Sequence, residues 1–259
     1  MVGKTQTQKV ELSIIIVSYN SQRLHETLAS IIKNIQRISY EIILVENNAE
    51  QNQIHRLKRE YPLIKAILNP SNVGFAQANN QALKYAQGMF VIFLNPDIII
   101  EKTTITLLLQ RLKEDQRIGM IAPQLLNENG GIQYSCRRFP TVRAWLSRIL
   151  NIETEALRRY EMREFDHQNE RDVDWCSAAF LMIRKEVLMR VGFFDENIFM
   201  YLEDADLCRR VKQYYQVIYY PLAKALHYAS YGSRKKLRLF FYHLKSGIYY
   251  FLKWGIFHG

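Results

Sequence analysis

The chain has 259 residues, 48% of them hydrophobic and 23% charged, which suits one large α/β domain with or without an appendage and excludes a disordered or fibrous protein. Three scattered cysteines, Cys136, Cys176 and Cys208, lack metal-ligand spacing and read as reduced thiols of a cytosolic setting. Met1–Lys9 is a polar lead-in without the apolar region of a signal peptide, and no window reaches the roughly 18 uninterrupted apolar residues of a membrane span. The charge is uneven: ten basic residues and no acidic one follow Asp206, while the remaining 25 Lys and Arg balance the 25 Asp and Glu before that point. The formal +10 therefore belongs to the C-terminal part and speaks of a partner, not of the fold.

In chain order, the β-branched run Leu12–Ser18 predicts a buried parallel strand. Asn20 or Ser21 then caps a helix whose inner face is Leu24, Leu28, Ile31, Ile32 and Ile35. Glu41–Val45 predicts a second strand, ended by Glu46-Asn47-Asn48. A helix near Gln51–Tyr61 leads to a short strand, Ile64–Leu68. Turn residues from Asn69 precede a helix over Phe75–Ala86. Phe90–Leu94 is a fourth strand, stopped by Pro96. A helix is expected over Ile98–Lys113 and a fifth strand at Ile118–Ala122. This alternation predicts a mostly parallel sheet with helices on both faces. Gln133–Ser135, Ala178–Ile183 and Val217–Tyr220 read as further strands. Asn151–Glu170 reads as a charged, mobile, helical or loop-like stretch, Glu203–Lys212 as a helix, and the tail from Arg234 as an amphipathic helix.

The polar residues collect at strand ends. In an open α/β sheet, Ser18-Tyr19-Asn20, Glu46-Asn47 and Asn95-Pro96-Asp97 share the carboxyl edge, where such sheets bind ligands. That edge offers backbone amides, an acceptor for an N–H, and a carboxylate able to hold a hard cation against a phosphate. Asp97 has a second reading, as cap of the helix expected after it. No G-x-x-x-x-G-K-[ST] or G-x-G-x-x-G occurs, so neither a P-loop nor an ordinary dinucleotide fold is present. Asn72-Val73-Gly74-Phe75 is either a plain turn or a close backbone approach to a phosphate or sugar. In Tyr201-Leu202-Glu203-Asp204-Ala205-Asp206, three carboxylates crowd a helix start. They stabilise the helix dipole, with Asp206 and Arg210 as an i, i+4 pair, or include a base of raised pKa.

Taken in order and spacing, I-I-I-V-S-Y-N, V-E-N-N, N-x-G-F-A-x-A-N-N, F-L-N-P-D, D-W-C-S-A-A-F-L-M-I-R, G-F-F-D-E-N-I-F-M-Y-L-E-D-A-D-L-C-R-R and A-L-H-Y resemble family 2 glycosyltransferases of the GT-A fold from Leu12 to about Ser233. The D-W-C, F-M-Y-x-E-D-x-D-L-C and H-L-K-S pieces are most similar to bacterial rhamnosyltransferases that move L-rhamnose from dTDP-rhamnose to GlcNAc-diphospho-polyprenol in O-antigen or cell-wall synthesis. The resemblance implies a lead-in at 1–10, a catalytic domain at 11–233 with a nucleotide-sugar half (11–125) and an acceptor half (126–233), and a basic helical tail at 234–259. It makes Asp204 the catalytic base, Glu46 the acid that holds the nucleotide base, Asp97 the acid for a divalent cation (Mg²⁺ or Mn²⁺), and His227 a ligand of that metal or of the diphosphate. Ser18, Tyr19, Asn20, Asn72, Gly74, Asn79 and Asn95 fall on the donor side. Asp174, Trp175 and Glu203 belong with the acceptor, and Arg137 and Arg138 with its diphosphate.

Three departures from the family pattern stand out. N-P-D replaces D-x-D, leaving Asn95 to offer only a carbonyl oxygen; Glu46 replaces the commoner Asp; and Ala178 stands where Gly is frequent. A family 2 transferase using a UDP-hexose, or a silent glycan-binding module, stays open beside the rhamnosyl reading. In the tail, Leu237, Phe240, Phe241, Leu244, Ile248, Phe251 and Leu252 recur at helical spacing among basic residues, which suits a peripheral contact with an anionic inner membrane face, or packing on the protein or in an oligomer. No nucleic-acid motif is present.

Overall fold

The computed structural model describes residues 9–48, 59–228 and 237–255. The Met1–Lys9 lead-in but for Lys9, nearly all of the helix expected near Gln51–Tyr61, and the basic cluster Arg234-Lys235-Lys236 lie outside them.

The first half follows its apolar runs. Strand β1 (Leu12–Ser18) is followed by α1 (Leu24–Asn34), β2 (Tyr40–Asn47), β3 (Lys65–Asn69), α2 (Phe75–Leu83) and β4 (Phe90–Leu94). These strands form a parallel ladder in the order β3-β2-β1-β4, with Ser18 opposite Glu46 and Ile16 opposite Leu94. Their continuous apolar character reflects burial on both faces. Ile14, Ile16, Ile42, Leu44 and Ile92 point to one core with Leu28 and Ile31 of α1. The alternate residues Ile15, Ile43, Val45, Val91 and Phe93 point to a second core with Ala78 and Ala82 of α2. Ile32, expected on the inner face of α1, is half exposed.

The region after β4 differs from expectation. The chain does not turn helical at Ile98: Ile98–Ile100 is a short strand, β5, and the helix α3 begins only at Thr104 and runs to Glu114. Three consecutive β-branched residues fit an edge strand better than a first helical turn. Asp97 consequently sits in the turn between two strands and caps no helix.

Strand β6 (Ile118–Leu126) is longer than expected and pairs with the two-residue β7 (Ile132–Gln133). A small ribbon follows, formed by β8 (Cys136–Arg137) and, further on, β10 (Trp175–Cys176). The charged stretch 151–170 contains the short helix α5 (Glu155–Tyr160), after α4 (Val142–Leu150). Both helices have threonine N-caps, and Glu161 pairs with Arg148 and Arg163. After the short β9 (Arg171–Asp172), β11 (Phe180–Arg184) enters the sheet antiparallel between β4 and β6, followed by α6 (Lys185–Val191) and α7 (Glu203–Val211).

The last strand, β12, runs from Gln216 to His227, far beyond the expected Tyr220. Pro221 suggests a stop, since it donates no ladder hydrogen bond. Instead the register against β6 slips between Tyr220 and Lys224, and the strand resumes beside β5, with His227 opposite Ile98. The tail is a single helix, α8 (Leu237–Trp254), and no helix among the described residues is long and apolar enough to cross a membrane.

Candidate active site

Because β1, β2 and β4 are parallel, their carboxyl ends share one edge of the sheet. Ser18, Tyr19 and Asn20 leave β1 there beside Glu46 of β2. Glu46 is buried, and its Oε1 accepts the backbone N–H of Asn20 at 3.0 Å. Asn20 takes a left-handed conformation, which Asn tolerates, and so folds the loop back over the edge. The Ser18 hydroxyl is buried without a partner, while Tyr19 is 54% exposed at the mouth.

The second group is Asn95, Asp97 and His227. Pairing of β5 with β12 carries His227 to Asp97, whose carbonyl accepts the Tyr228 N–H at 3.0 Å. His227 Nε2 lies 3.4 Å from Asp97 Oδ1, and that oxygen is buried with no hydrogen-bond partner. Gln133 fixes the ring: its Oε1 faces Nδ1 at 2.8 Å and its Nε2 donates to the His227 carbonyl at 2.7 Å. This places the proton on Nδ1 and leaves Nε2 for a ligand, the arrangement in which a second partner orients a metal-binding imidazole. An orphaned carboxylate oxygen beside a free imidazole nitrogen fits a divalent cation. Among the described residues no three His, Cys, Asp or Glu side chains form a complete cage.

The third group is Glu203 and Asp204 at the start of α7. Asp204 Oδ2 accepts the Ala178 N–H at 3.2 Å and Oδ1 the Ala205 N–H at 2.9 Å. The carbonyl of the next residue, Ala179, accepts the Asn95 N–H at 2.8 Å. Two adjacent residues leading into β11 thus tie the Asp204 carboxylate to the Asn95–Asp97 turn. Burial raises the pKa of Asp204, opposed by the Ala178 N–H and the positive charge of Arg137. Burial raises Glu203 more strongly, helped by the charge of Asp204, and Glu203 Oε2 has no partner. Of the two carboxyls, burial pushes Glu203 further toward its protonated form. Asp206 is different: wholly buried, it is held by Arg210, Lys253 and Trp254.

Among the residues expected near an acceptor, Arg137 lies over the rings of Trp175 (4.9 Å) and Tyr160 (5.6 Å), and its Nε donates to the Tyr134 carbonyl. Trp175 is buried, its Nε1 donating to the Arg138 carbonyl, and Asp174 accepts the Phe139 N–H at 2.8 Å. Arg138 turns elsewhere, to Glu164 at 2.8 Å, and lines an open cleft of about 590 Å³ with Arg158, Arg159 and Arg163.

Two expected donor residues have structural partners. Asn79 is buried in α2 and donates to the Phe75 carbonyl, so its amide does not line the cleft. Gly74 (φ 90°, ψ 171°) makes its close backbone approach to Phe199: a Cβ there would stand 2.6 Å from the Phe199 carbonyl oxygen, which accepts the Phe75 N–H at 2.9 Å. Asn72 Oδ1 accepts the N–H groups of Gly74 and Asn47, shaping that turn. Sequence reasoning missed Gln133, Tyr160 and the backbone of Ala178–Ala179. Gln133 was visible only as a strand residue and Ala178 only as a departure from the family pattern, and nothing in the sequence points to Tyr160 or Ala179.

The chain belongs to glycosyl transferase family 2, whose model matches residues 13–192. It is 26% identical over 242 residues to the N-acetylglucosaminyl-diphospho-decaprenol L-rhamnosyltransferase of Mycobacterium tuberculosis, covering 86% of this chain and 77% of that one. It is 28% identical over 251 residues to the rhamnosyltransferase WbbL of Escherichia coli, covering 92% and 91%. Among solved structures it is similar to GalNAc-T7 with UDP, GalNAc and Mn²⁺ (TM-score 0.64, 17% identity), covering 84% of this chain and only 43% of that one. It also superposes on the mannosyltransferase PcManGT of Pyrobaculum calidifontis with GDP-Man and Mn²⁺ (TM-score 0.59, 18% identity, 87% and 59% covered). The fold is of the GT-A type, and the protein is a glycosyltransferase.

Proposed function

We propose that this protein is an inverting transferase that moves L-rhamnose from dTDP-rhamnose onto a polyprenyl-diphosphate-linked GlcNAc acceptor, in O-antigen or cell-wall polysaccharide synthesis. The observation that carries the mechanism is the join through Ala178 and Ala179, which fixes the buried Asp204 carboxyl relative to the Asn95–Asp97 turn. Likeness to two rhamnosyltransferases over most of the chain supports the donor sugar.

In this reading Glu46, with the Ser18–Asn20 loop, holds the nucleotide base and ribose. Asp97 and His227 would hold a divalent cation, Mg²⁺ or Mn²⁺, with a carbonyl oxygen from Asn95; when bound, it supplies positive charge against the donor diphosphate. Trp175 and Tyr160 shape the wall against which the acceptor sugar lies, and Arg137 meets its diphosphate. Asp204 takes the proton of the acceptor hydroxyl while that oxygen bonds to the anomeric carbon and the bond from that carbon to the diphosphate oxygen breaks on the opposite face. A single displacement inverts the anomeric centre through an oxocarbenium-like transition state.

The tail supports access to a lipid-linked acceptor. Leu237, Phe241, Ile248 and Leu252 are each more than half exposed, and at 100° per residue they fall within an arc of about 60°. Arg238 and Lys245 are exposed near this arc. We assign this stripe to peripheral contact with an anionic membrane on the cytoplasmic side.

The test is binding and hydrolysis of dTDP-rhamnose, UDP-glucose, UDP-galactose and UDP-GlcNAc, each with Mg²⁺, Mn²⁺ or EDTA. Metal-dependent preference for dTDP-rhamnose is expected. Preference for a UDP-sugar would discard the rhamnosyl assignment.

A further inference from the structure

We propose that α8 is a working part of the catalytic site: its inner face clamps the strained Phe199–Leu202 turn and so sets Glu203 and Asp204, with His243 and Trp254 as positioning residues. This rests on Asp204 being the base.

The turn needs a clamp. Tyr201 (φ 71°) and Leu202 (φ 66°) are consecutive bulky residues in the left-handed region immediately before the two acids. Such a conformation persists only where the surroundings impose it. One jaw is the start of α2, where the Phe75 N–H grips the Phe199 carbonyl and Gly74 lies flat against it.

The other jaw is α8. Tyr242 stacks on Phe199 with ring centroids 4.4 Å apart, His243 lies on Tyr201 at 4.5 Å, and Ser246 Oγ donates to the Met200 carbonyl at 2.7 Å. Three successive residues of the turn are therefore each held by a different residue of the helix. The helix is fastened on both sides of the turn. Upstream, Asp195 accepts Tyr249 Oη (3.0 Å) and Lys253 Nζ (2.7 Å). Downstream, Asp206 accepts Trp254 Nε1 (2.8 Å) and Lys253 Nζ (2.7 Å), and Arg209 donates to Tyr250 Oη.

The surroundings of His243 fit a positioning role. The groups facing it are the Tyr201 ring, Arg148 of α4 and Arg137 of β8. Burial first, and then the positive charges of Arg148 and Arg137, hold the imidazole pKa below its ordinary value, so the ring serves as a neutral plate. The hydrogen bonds and ion pairs that α8 makes with the rest of the described chain go to residues 195–209 and not to Glu46, Asp97 or His227. Loosening α8 should therefore spare donor binding and impair the chemical step.

The structure supplies a wedge for testing this. Gly247 lets α8 lie against α4 because the Trp145 indole occupies the space a Cβ would need. Gly247→Ala should push the helix off without lowering its helical propensity, and Trp145→Leu in the same chain should relieve the clash. Trp254→Phe removes the Nε1–H that meets Asp206 and trims the indole to a single ring. The variants are compared in kcat with a short-chain prenyl-diphosphate GlcNAc, in donor Kd by calorimetry, and in amide exchange over residues 199–206.

Gly247→Ala is expected to lower kcat by about tenfold or more, since small misplacements of a catalytic group are costly, with donor Kd within about twofold. Exchange at 199–206 should rise while β1 and β4 keep their protection. The double variant should recover kcat, and Trp254→Phe should show a smaller kcat loss with the same split. If Gly247→Ala fails to fold, the Trp254→Phe split decides. Unchanged kcat and exchange, or a parallel loss of donor affinity, would overturn the clamp. Kinetics use whichever donor the unaltered protein turns over. Failure of dTDP-rhamnose thus counts against the donor assignment, and only ratios between variants count against the clamp. Should no donor turn over, exchange at 199–206 decides alone.

Discussion

Asp204 and Glu203 show how neighbours in sequence can be given different surroundings. Asp204 retains an N–H from Ala178 and the field of Arg137; Glu203 has an orphaned oxygen and a negative neighbour. Asp204→Asn should keep donor affinity and lose turnover by roughly 10²–10⁴-fold, as measured by steady-state kinetics beside calorimetry. Because burial raises the Asp204 pKa, the base is protonated, and activity lost, as pH falls through a value above the ordinary aspartate range. The acid limb of kcat/KM should sit correspondingly high. Glu203→Gln should leave that limb in place, since burial raises Glu203 further than Asp204 and the amide copies its protonated form; a large displacement would show that Glu203 titrates together with Asp204. At the donor edge, Asp97→Asn should remove most of the difference in donor binding between Mg²⁺ and EDTA. Equal metal dependence in variant and parent would remove Asp97 from the metal site.

At the scale of elements, what was legible followed from periodicity. Runs such as I-I-I-V-S and F-V-I-F-L read as buried strands, and their expected parallel order puts Glu46 and Asp97 on one edge. The errors arose where local pattern and tertiary pairing compete. Ile98–Ile100 precedes a strongly helical run and was absorbed into it, whereas β12 recruits it as an edge partner. The strand expected to end at Tyr220 continues past Pro221 through a register slip, and so delivers His227. Asn72-Val73-Gly74-Phe75 left a plain turn and a close approach to a phosphate or sugar open; the approach is instead to the Phe199 carbonyl, 125 residues from Gly74, which local sequence does not reveal. Gly74→Ala should destabilise the fold by about 1–3 kcal/mol, the scale for a residue forced into a conformation reserved for glycine. It should lower kcat as well, because Phe199 moves with it. Urea unfolding and kinetics on one preparation would check both.

For the whole molecule, the charge asymmetry was legible and its physical meaning was only half so. Lys253 belongs to buried and half-buried ion pairs with Asp195 and Asp206, so it serves the fold. Arg238 and Lys245 remain outward, beside the apolar stripe of α8. Binding to vesicles containing anionic lipid should be clear at low salt and fall steeply over a Debye-length change from about 30 Å to 10 Å, that is from about 0.01 M to 0.1 M. Pelleting assays read this directly, and equal binding to neutral vesicles would leave the basic residues without a role there. Self-packing of the tail and its outward stripe are both features of one helix: Tyr250 and Phe251 are buried on one side while Leu252 is 79% exposed on another.

The clamp on the Phe199–Leu202 turn also bears on the order in which the protein matures. Domains form as they emerge during synthesis, and the two acids leave the ribosome well before Ser246 and Trp254. A nascent or prematurely terminated chain therefore carries a nearly complete sheet and both carboxylates, yet lacks the helix that sets them. On the proposed role of α8, glycosyl transfer would begin only when that helix has closed on the turn, so a donor held early is not spent before then.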